Sequence, residues 1–310
     1  MTETVEAQTR GAALPLAFIG AGRAGSALAT ALRDAGHPVA AVHSRTAAHA
    51  ARLAAATGAV VVHSALEAME LAAITFATVP DDEIGRVAAA VAVENVALPG
   101  RSLVHCSATH GADVLAPARS TAALVGAFHP LQALAGAASA PLLRGSSFTI
   151  EAPEPLHGTL AGLVADLGGH LLDLPAGGRA LYHAAAVLAG NAPLALLARA
   201  VSLLEEAGID RDAAHRALSA LLAGAASNAA EAGVEGALTG PVVRGDAATV
   251  ARHLEALASD PPIRELYRHL ALESLALAGP VGREAVAGVL AAPAPRSNRA
   301  PRAVSQRRVA

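Results

Sequence analysis

The feature that most limits what this chain can fold into is the segment LPLAFIGAGRAGSALATAL, which begins at Leu14. A short apolar run passes directly into Gly20-Ala-Gly22-Arg-Ala-Gly25 and then into an Ala/Leu stretch with helical spacing. A strand that turns this sharply into a helix needs Gly20 at the turn. Gly22 leaves the backbone open to an approaching pyrophosphate, and Gly25 lets the helix press on the strand. The free N–H groups of the first helical turn, at Arg23 and Ala24, would face that anion. A lone GxGxxG is weak and could be only a glycine-tightened turn. Here the strand before it, the helix after it and a second strand at Val39 to His43 supply the context of a nucleotide site.

The end of that second strand bears on which nucleotide is bound. Proteins that prefer NAD place an acid there for the ribose hydroxyls, whereas this chain reads His43-Ser44-Arg45-Thr46. With no acid to repel it, a 2'-phosphate could hydrogen-bond to Ser44 and ion-pair with Arg45, which favours NADP(H). The bland alternative is that Arg45 caps a solvent-facing loop. The missing acid also disfavours a methyltransferase.

Apolar runs and Ala-rich helical stretches alternate to about Leu174, the pattern of a doubly wound, parallel α/β sheet. The runs predict strands at 14–20, 38–43, 59–62, 73–79, 102–106, 122–127, 147–151 and 170–174, with helices between them. Beyond Pro175-Ala-Gly-Gly178 the spacing is helical only, over 180–207, 211–230, 247–258 and 261–278. Pro193 predicts a kink in the first of these. The division that follows is a leader at 1–13, an α/β domain at 14–175, an all-helical domain at 176–290 and an Arg-rich tail at 291–310.

Composition removes several classes. A chain that is 53% hydrophobic and 16% charged must fold. One cysteine, Cys106, excludes a disulfide framework, and the lack of a signal-like N-terminus fits a reducing cytoplasm. The run Ala180 to Leu204 contains His183, Asn191, Pro193 and Arg199 and reads as a buried helix, not a membrane span. The body is acidic without a basic stripe, which argues against nucleic acid. The 13 histidines show no pairing at metal-ligand spacing. Lysine is absent, so no mechanism can use an ammonium or a Schiff base.

Further polar clusters follow the later strands. Val79-Pro80 could border the cofactor ribose, with Asp81 as the N-cap of the next helix and Asp82 and Glu83 in its first turn. His105, Ser107 and His129 either line a nicotinamide pocket or serve as turn and capping residues. Cys106 should lie in the sheet interior. In the helical half, His183 and Asn191 share a stripe at i and i+8, fit either for a general acid and a carbonyl-orienting amide or for a core histidine and a kink cap. Thr239 and Arg244 could meet a substrate carboxylate, and Asp246 fits an N-cap.

Taken in order, GAGRAGSALATAL, His105-Cys-Ser107, His129-Pro-Leu-Gln132, Tyr182-His183 with Asn191, and Leu238-Thr-Gly-Pro241 with Arg244-Gly-Asp246 resemble a bacterial family of oxidoreductases. In that family a Rossmann-type domain precedes a helical domain of unknown function. The resemblance spans residues 14 to 280 and extends to ketopantoate reductases, 6-phosphogluconate and 3-hydroxyisobutyrate dehydrogenases and pyrroline-carboxylate reductases. It implies an NADP-type cofactor, a small-molecule substrate and a homodimer built through the helical domains. Several of those relatives use a Lys four residues before an Asn, but here the residue four before Asn191 is Val187. His183, one turn further back, is the candidate proton donor. The expectation is an NADP-dependent reductase of a small carbonyl or imine compound, such as the 2-oxo acid ketopantoate. The alternative is a non-catalytic dinucleotide sensor whose helical domain serves dimerisation.

Overall fold

A computed structural model of the chain describes residues 13–292. The leader and Arg-rich tail expected from the sequence lie outside these, apart from residues 13, 291 and 292. Eight strands form one sheet: β1 (Leu16–Ile19), β2 (Val39–His43), β3 (Val60–Val61), β4 (Ile74–Ala77), β5 (Ser102–His105), β6 (Leu124–Pro130), β7 (Ser147–Glu151) and β8 (His170–Leu171). Their order is β3-β2-β1-β4-β5-β6-β7-β8. Helices α1 (Arg23–Asp34), α2 (Ala47–Thr57), α3 (Ala65–Leu71), α4 (Asp81–Val93) and α5 (Leu156–Asp166) make the crossovers.

Every expected strand is present, but the sheet is not wholly parallel, because β7 runs antiparallel to β6. Parallel neighbours need a crossover, usually a helix laid along the sheet. The 131–146 connection instead forms a short 3-10 segment, Ala137–Leu143, that packs on α1, so the chain re-enters from the opposite end. The expected helix after β5 is likewise a 3-10 segment, Ala112–Thr121. Pro141 and Pro117 lie inside these segments, and a residue without an N–H cannot sustain an α-helical ladder.

Both faces of the sheet are covered. Phe18, Phe76, Phe128 and Phe148, the only phenylalanines in the sequence, form a row on the α1/α5 face with successive ring centroids 5.4, 5.6 and 5.0 Å apart. All four are fully buried, each burial being worth about 1.5–3 kcal/mol. On the other face Met69, Ile84, Val91, Leu103 and Leu115 pack with α3 and α4. This is a doubly wound Rossmann-like sheet.

The chain divides into two compact units between Ala192 and Pro193. The first holds the sheet and α6 (Arg179–Gly190). The second is helical: α7 (Ala192–Glu206), α8 (Arg211–Ala237), α9 (Ala247–Ala256), α10 (Pro261–Leu277) and α11 (Arg283–Ala291), with Val250, Leu254, Leu275, Val286 and Leu290 in its core. The helical run is interrupted at Asn191, the C-cap of α6, whose N–H still bonds to the Val187 carbonyl, and Pro193 stands in the first turn of α7, where a missing N–H costs nothing. The expectation that this stretch is buried is wrong. Leu181 is 80% and Leu188 70% exposed, α6 buries no residue and α7 only Val201. By length and composition alone, 179–206 is apolar enough to cross a membrane. Among the described residues little packs over Leu181, Leu188 and Leu194, so apolarity did not translate into burial there.

Candidate functional site

Strands β2 and β4 flank β1, so the carboxyl ends of all three deliver their loops to one edge of the sheet. Gly20 has φ +105°, and a Cβ there would stand 2.5 Å from the Thr78 carbonyl oxygen. The Thr78 hydroxyl donates to the Gly20 carbonyl at 2.6 Å, tying the turn to the end of β4. A Cβ on Gly25 would collide with the Gly20 carbonyl and the Thr78 hydroxyl. Gly22 differs, since nothing lies within 4 Å of where its Cβ would be and its φ of −78° suits any residue. Sterics of the fold therefore demand Gly20 and Gly25, while Gly22 leaves open space at the start of α1. That helix has no side-chain cap, and Arg23 is exposed beside Ala24 in its first turn. Such a turn fits a dinucleotide's pyrophosphate.

At the end of β2, the Ser44 hydroxyl accepts from the Thr46 N–H at 3.4 Å. Arg45 does not simply cap its own loop. It reaches across to α4, where its Nη1 lies 3.3 Å from Oε1 of Glu83. Val79 is half-buried and Pro80 exposed. Pro80, not Asp81, is the N-cap of α4. Asp81 is the first helical residue, and its carboxylate instead accepts from the Thr109 hydroxyl at 2.7 Å. Burial pushes its pKa up, but donors at Thr109 and Ser107 and the neighbouring His110 outweigh this and hold it below the ordinary value.

His105 is fully buried at the end of β5. Its Nδ1 accepts the Ser107 N–H at 3.1 Å, so Nε2 carries the proton and donates to the Gly111 carbonyl at 3.0 Å. Burial lowers its pKa against the pull of that carbonyl. With both nitrogens spent inside the loop, His105 does not line a pocket and is a turn residue. The Ser107 hydroxyl accepts from the N–H groups of Thr109 and His110, at 3.1 and 3.2 Å. Burial drives the Cys106 thiol up to about 12, so it is inert as a nucleophile.

The next strand brings together groups that sequence reasoning had only partly joined. His129 Nδ1 lies 2.7 Å from the Tyr182 hydroxyl, and His183 is close enough for its charge to be felt. Burial, then His183 and Arg179, lower the His129 pKa to about 4. Arg179 pairs with Glu151, which also accepts the Ala112 N–H at 2.9 Å. Burial raises the Glu151 pKa, but these donors more than reverse it. The Arg179 Nη1 is buried and has no hydrogen-bond partner among the described residues. No motif in the sequence links β7 to α6 or points to Arg179 and Glu151, and only the antiparallel β6–β7 pairing, with His129 opposite Thr149, places Glu151 here.

Asn191 is exposed at the end of α6, two turns beyond His183. Thr239 and Arg244 are exposed in the second unit, where Asp246 caps α9 by accepting the Thr249 N–H at 3.0 Å.

The sheet order and the glycine turn define the first unit as a Rossmann-like domain. Comparison with known families agrees. A family model described as a Rossmann-like domain matches residues 1–130, and one described as a domain of unknown function, DUF2520, matches residues 146–274. The two matches follow one another along the chain, the Rossmann-like model over the glycine turn and most of the sheet, the DUF2520 model from β7 into the helical segments. No curated protein matches the sequence.

Among solved structures the chain is similar to a Bacteroides fragilis protein described as an NADP oxidoreductase, with 24% identity, TM-score 0.67, and 84% of this chain and 98% of that chain covered. It is also similar to a Plasmodium falciparum pyrroline carboxylate reductase with NADP bound, at 14% identity, TM-score 0.58 and coverage of 86% and 98%. A Pseudomonas imine reductase matches at 18% identity, TM-score 0.55 and coverage of 89% and 92%. At these identities the likeness is one of fold.

Proposed function

We propose that this chain is an NADP-dependent oxidoreductase that reduces a small carbonyl or imine compound, a 2-oxo acid such as ketopantoate being the type of substrate expected. The observation that carries this reading is the β1–α1 turn, where Gly20 and Gly25 are sterically required and Gly22 lies open before an uncapped helix. Arg45 at an acid-free end of β2 supports NADP over NAD. The fold neighbours described as an NADP oxidoreductase, an NADP-bound reductase and an imine reductase point the same way.

In this reading Gly20, Gly22 and Gly25 hold the pyrophosphate, with the Arg23 and Ala24 N–H groups facing it. Ser44 and Arg45 hold the 2'-phosphate, and Val79, Pro80 and Ser107 border the nicotinamide half. The bound cofactor supplies the hydride. His183 donates the proton, Asn191 orients the substrate oxygen or nitrogen, and His129, held neutral, offers a hydrogen bond without a competing charge. The exposed apolar side chains of α6 and α7 suit packing against a second copy, so a homodimer is part of the proposal.

Calorimetric titration with NADPH and with NADH tests the cofactor. NADPH should bind more tightly, and Arg45→Ala should weaken it by about 10- to 100-fold. Turnover of a panel of 2-oxo acids and cyclic imines tests the chemistry, with His183→Ala expected to lose at least ~100-fold. A loss of only a few-fold would remove His183 from the role of acid. Tight NADPH binding with no consumption against the whole panel would favour a sensor.

A further inference from the structure

The ion pair of Arg45 does not stop at Glu83. The same carboxylate oxygen, Oε1, also takes Nη1 of Arg86 at 2.8 Å, against 3.3 Å for Arg45. Two bonds to one oxygen bring the guanidinium nitrogens within about 6 Å of each other. Glu83 is largely covered, its side chain 18% exposed, whereas Arg45 and Arg86 are 74% and 75% exposed. Pairs this open contribute about 0–1 kcal/mol to stability, so stability does not account for the arrangement. Two exposed guanidinium groups thus share one carboxylate oxygen, so neither has a counter-ion of its own in this cluster.

The position of the cluster is set by the topology. Arg45 follows β2 and Arg86 lies in the second turn of α4, after β4, the two strands on either side of β1 and its glycine turn. Asp81 and Asp82 share the first turn of α4 with Glu83, and the Asp81 carboxylate faces the β5 side, where it accepts from the Thr109 hydroxyl.

We infer that Arg86 is a second phosphate-binding residue, which together with Arg45 forms a two-guanidinium clamp for the 2'-phosphate of the cofactor; this rests on the NADP reading above. Glu83 keeps two like charges together before the ligand arrives. The longer Arg45 contact is the one released to the phosphate, while the shorter one holds Arg86 in place. A phosphate monoester presents three acceptor oxygens and about two negative charges, matching two guanidinium groups better than one. A ribose hydroxyl matches neither, so Arg86 should act on discrimination and not on dinucleotide affinity in general.

The test titrates the full chain and its Arg86→Ala and Arg45→Ala variants with NADPH, NADH and adenosine 2',5'-bisphosphate. Arg86 is exposed and outside the core, so its variant should keep the wild-type melting temperature. Arg86→Ala is expected to weaken NADPH and the bisphosphate about 10-fold, leave NADH within about twofold, and lower the salt dependence of NADPH binding. If Arg45→Ala loses NADPH preference while Arg86→Ala keeps it, or if Arg86→Ala weakens NADH equally, the clamp is overturned and the cofactor reading stands. Equal binding of NADPH and NADH by the wild type also overturns the clamp but leaves a dinucleotide site. Binding of neither overturns the reading on which the clamp rests.

Discussion

The Tyr182 hydroxyl and the Nδ1 of His129 lie 2.7 Å apart, with their rings edge to face at a centroid distance of 5.6 Å. This hydrogen bond joins α6 to the end of β6. The sequence has just one other tyrosine, and Tyr267 repeats the arrangement with His253, at 2.8 Å and 5.7 Å, joining α10 to α9. In a chain with so few aromatic side chains, both phenols serve as fasteners between elements.

Removing the fastener should therefore cost stability. Tyr182→Phe leaves the half-buried Nδ1 of His129 without its hydrogen-bond partner, and about 1–2 kcal/mol is expected. Tyr267→Phe should cost less, because His253 is exposed. Denaturant midpoints at constant slope are the measurement. A Tyr182→Phe shift no larger than that of Tyr267→Phe would mean that the first pair is as solvent-compensated as the second.

The depressed pKa of His129 sets a pH window. Unfolded, the imidazole titrates near 6.5, but folded only near 4. Above 6.5 it is neutral in both states and its contribution is complete. As pH falls from 6.5 towards 4 the unfolded chain takes up a proton that the folded chain refuses, so stability is lost, by at most ~3 kcal/mol. Asp81 and Glu151, both held below their ordinary values, lose their contributions only at lower pH. Between pH 7.5 and 4.5 the unfolding free energy of wild type should fall relative to that of His129→Gln by about 2–3 kcal/mol, read at pH 7.5, 6 and 4.5. Parallel curves would rule out His129 as their source.

The glycine turn separates folding from binding. Gly25→Ala pushes a methyl into the Gly20 carbonyl and the Thr78 hydroxyl, where backbone must move, and should cost about 2 kcal/mol or more. Gly22→Ala has space and an ordinary φ, so its melting temperature should match wild type within about a degree while NADPH affinity falls at least ~10-fold. Thermal melts paired with titrations read both. A Gly22→Ala protein that binds NADPH normally would show that no pyrophosphate approaches there.

Much of the first unit was legible because its signals are local. The runs at 73–79 and 102–106 are the right length for buried strands, and both became strands. Strand direction is not written in apolarity, which is why β7 was read as parallel. The exposure of Leu181 and Leu188 was illegible because hydrophobicity reports a need for cover without saying what provides it. His105 and His129 look alike in sequence, each a histidine at the end of a strand. Only the Ser107 N–H and Gly111 carbonyl closing on one, and Tyr182 on the other, separate a histidine sealed within its own loop from one held by a distant helix. The Glu83 to Arg86 contact is local, but its meaning depends on Arg45, which arrives from another strand.

In the second unit, Gly245 and Gly282 meet backbone to backbone. Each has positive φ, +72° and +67°, and a Cβ on Gly245 would lie 2.6 Å from the Cα of Gly282. Gly245 directly precedes the Asp246 cap of α9, and Gly282 is the N-cap of α11, so this contact sets how the two helices enter the core around Val250 and Val286. Alanine at either position combines left-handed strain with a clash against backbone, which has no rotamer through which to yield. Each single variant should cost about 2 kcal/mol or more, and the double variant less than the sum, because both remove the same contact. Hydrogen exchange should quicken at α9 and α11 in both variants while the amides of β1 and β4 stay protected. Uniform loss of protection across β1 and β4 would mean that the two units unfold as one.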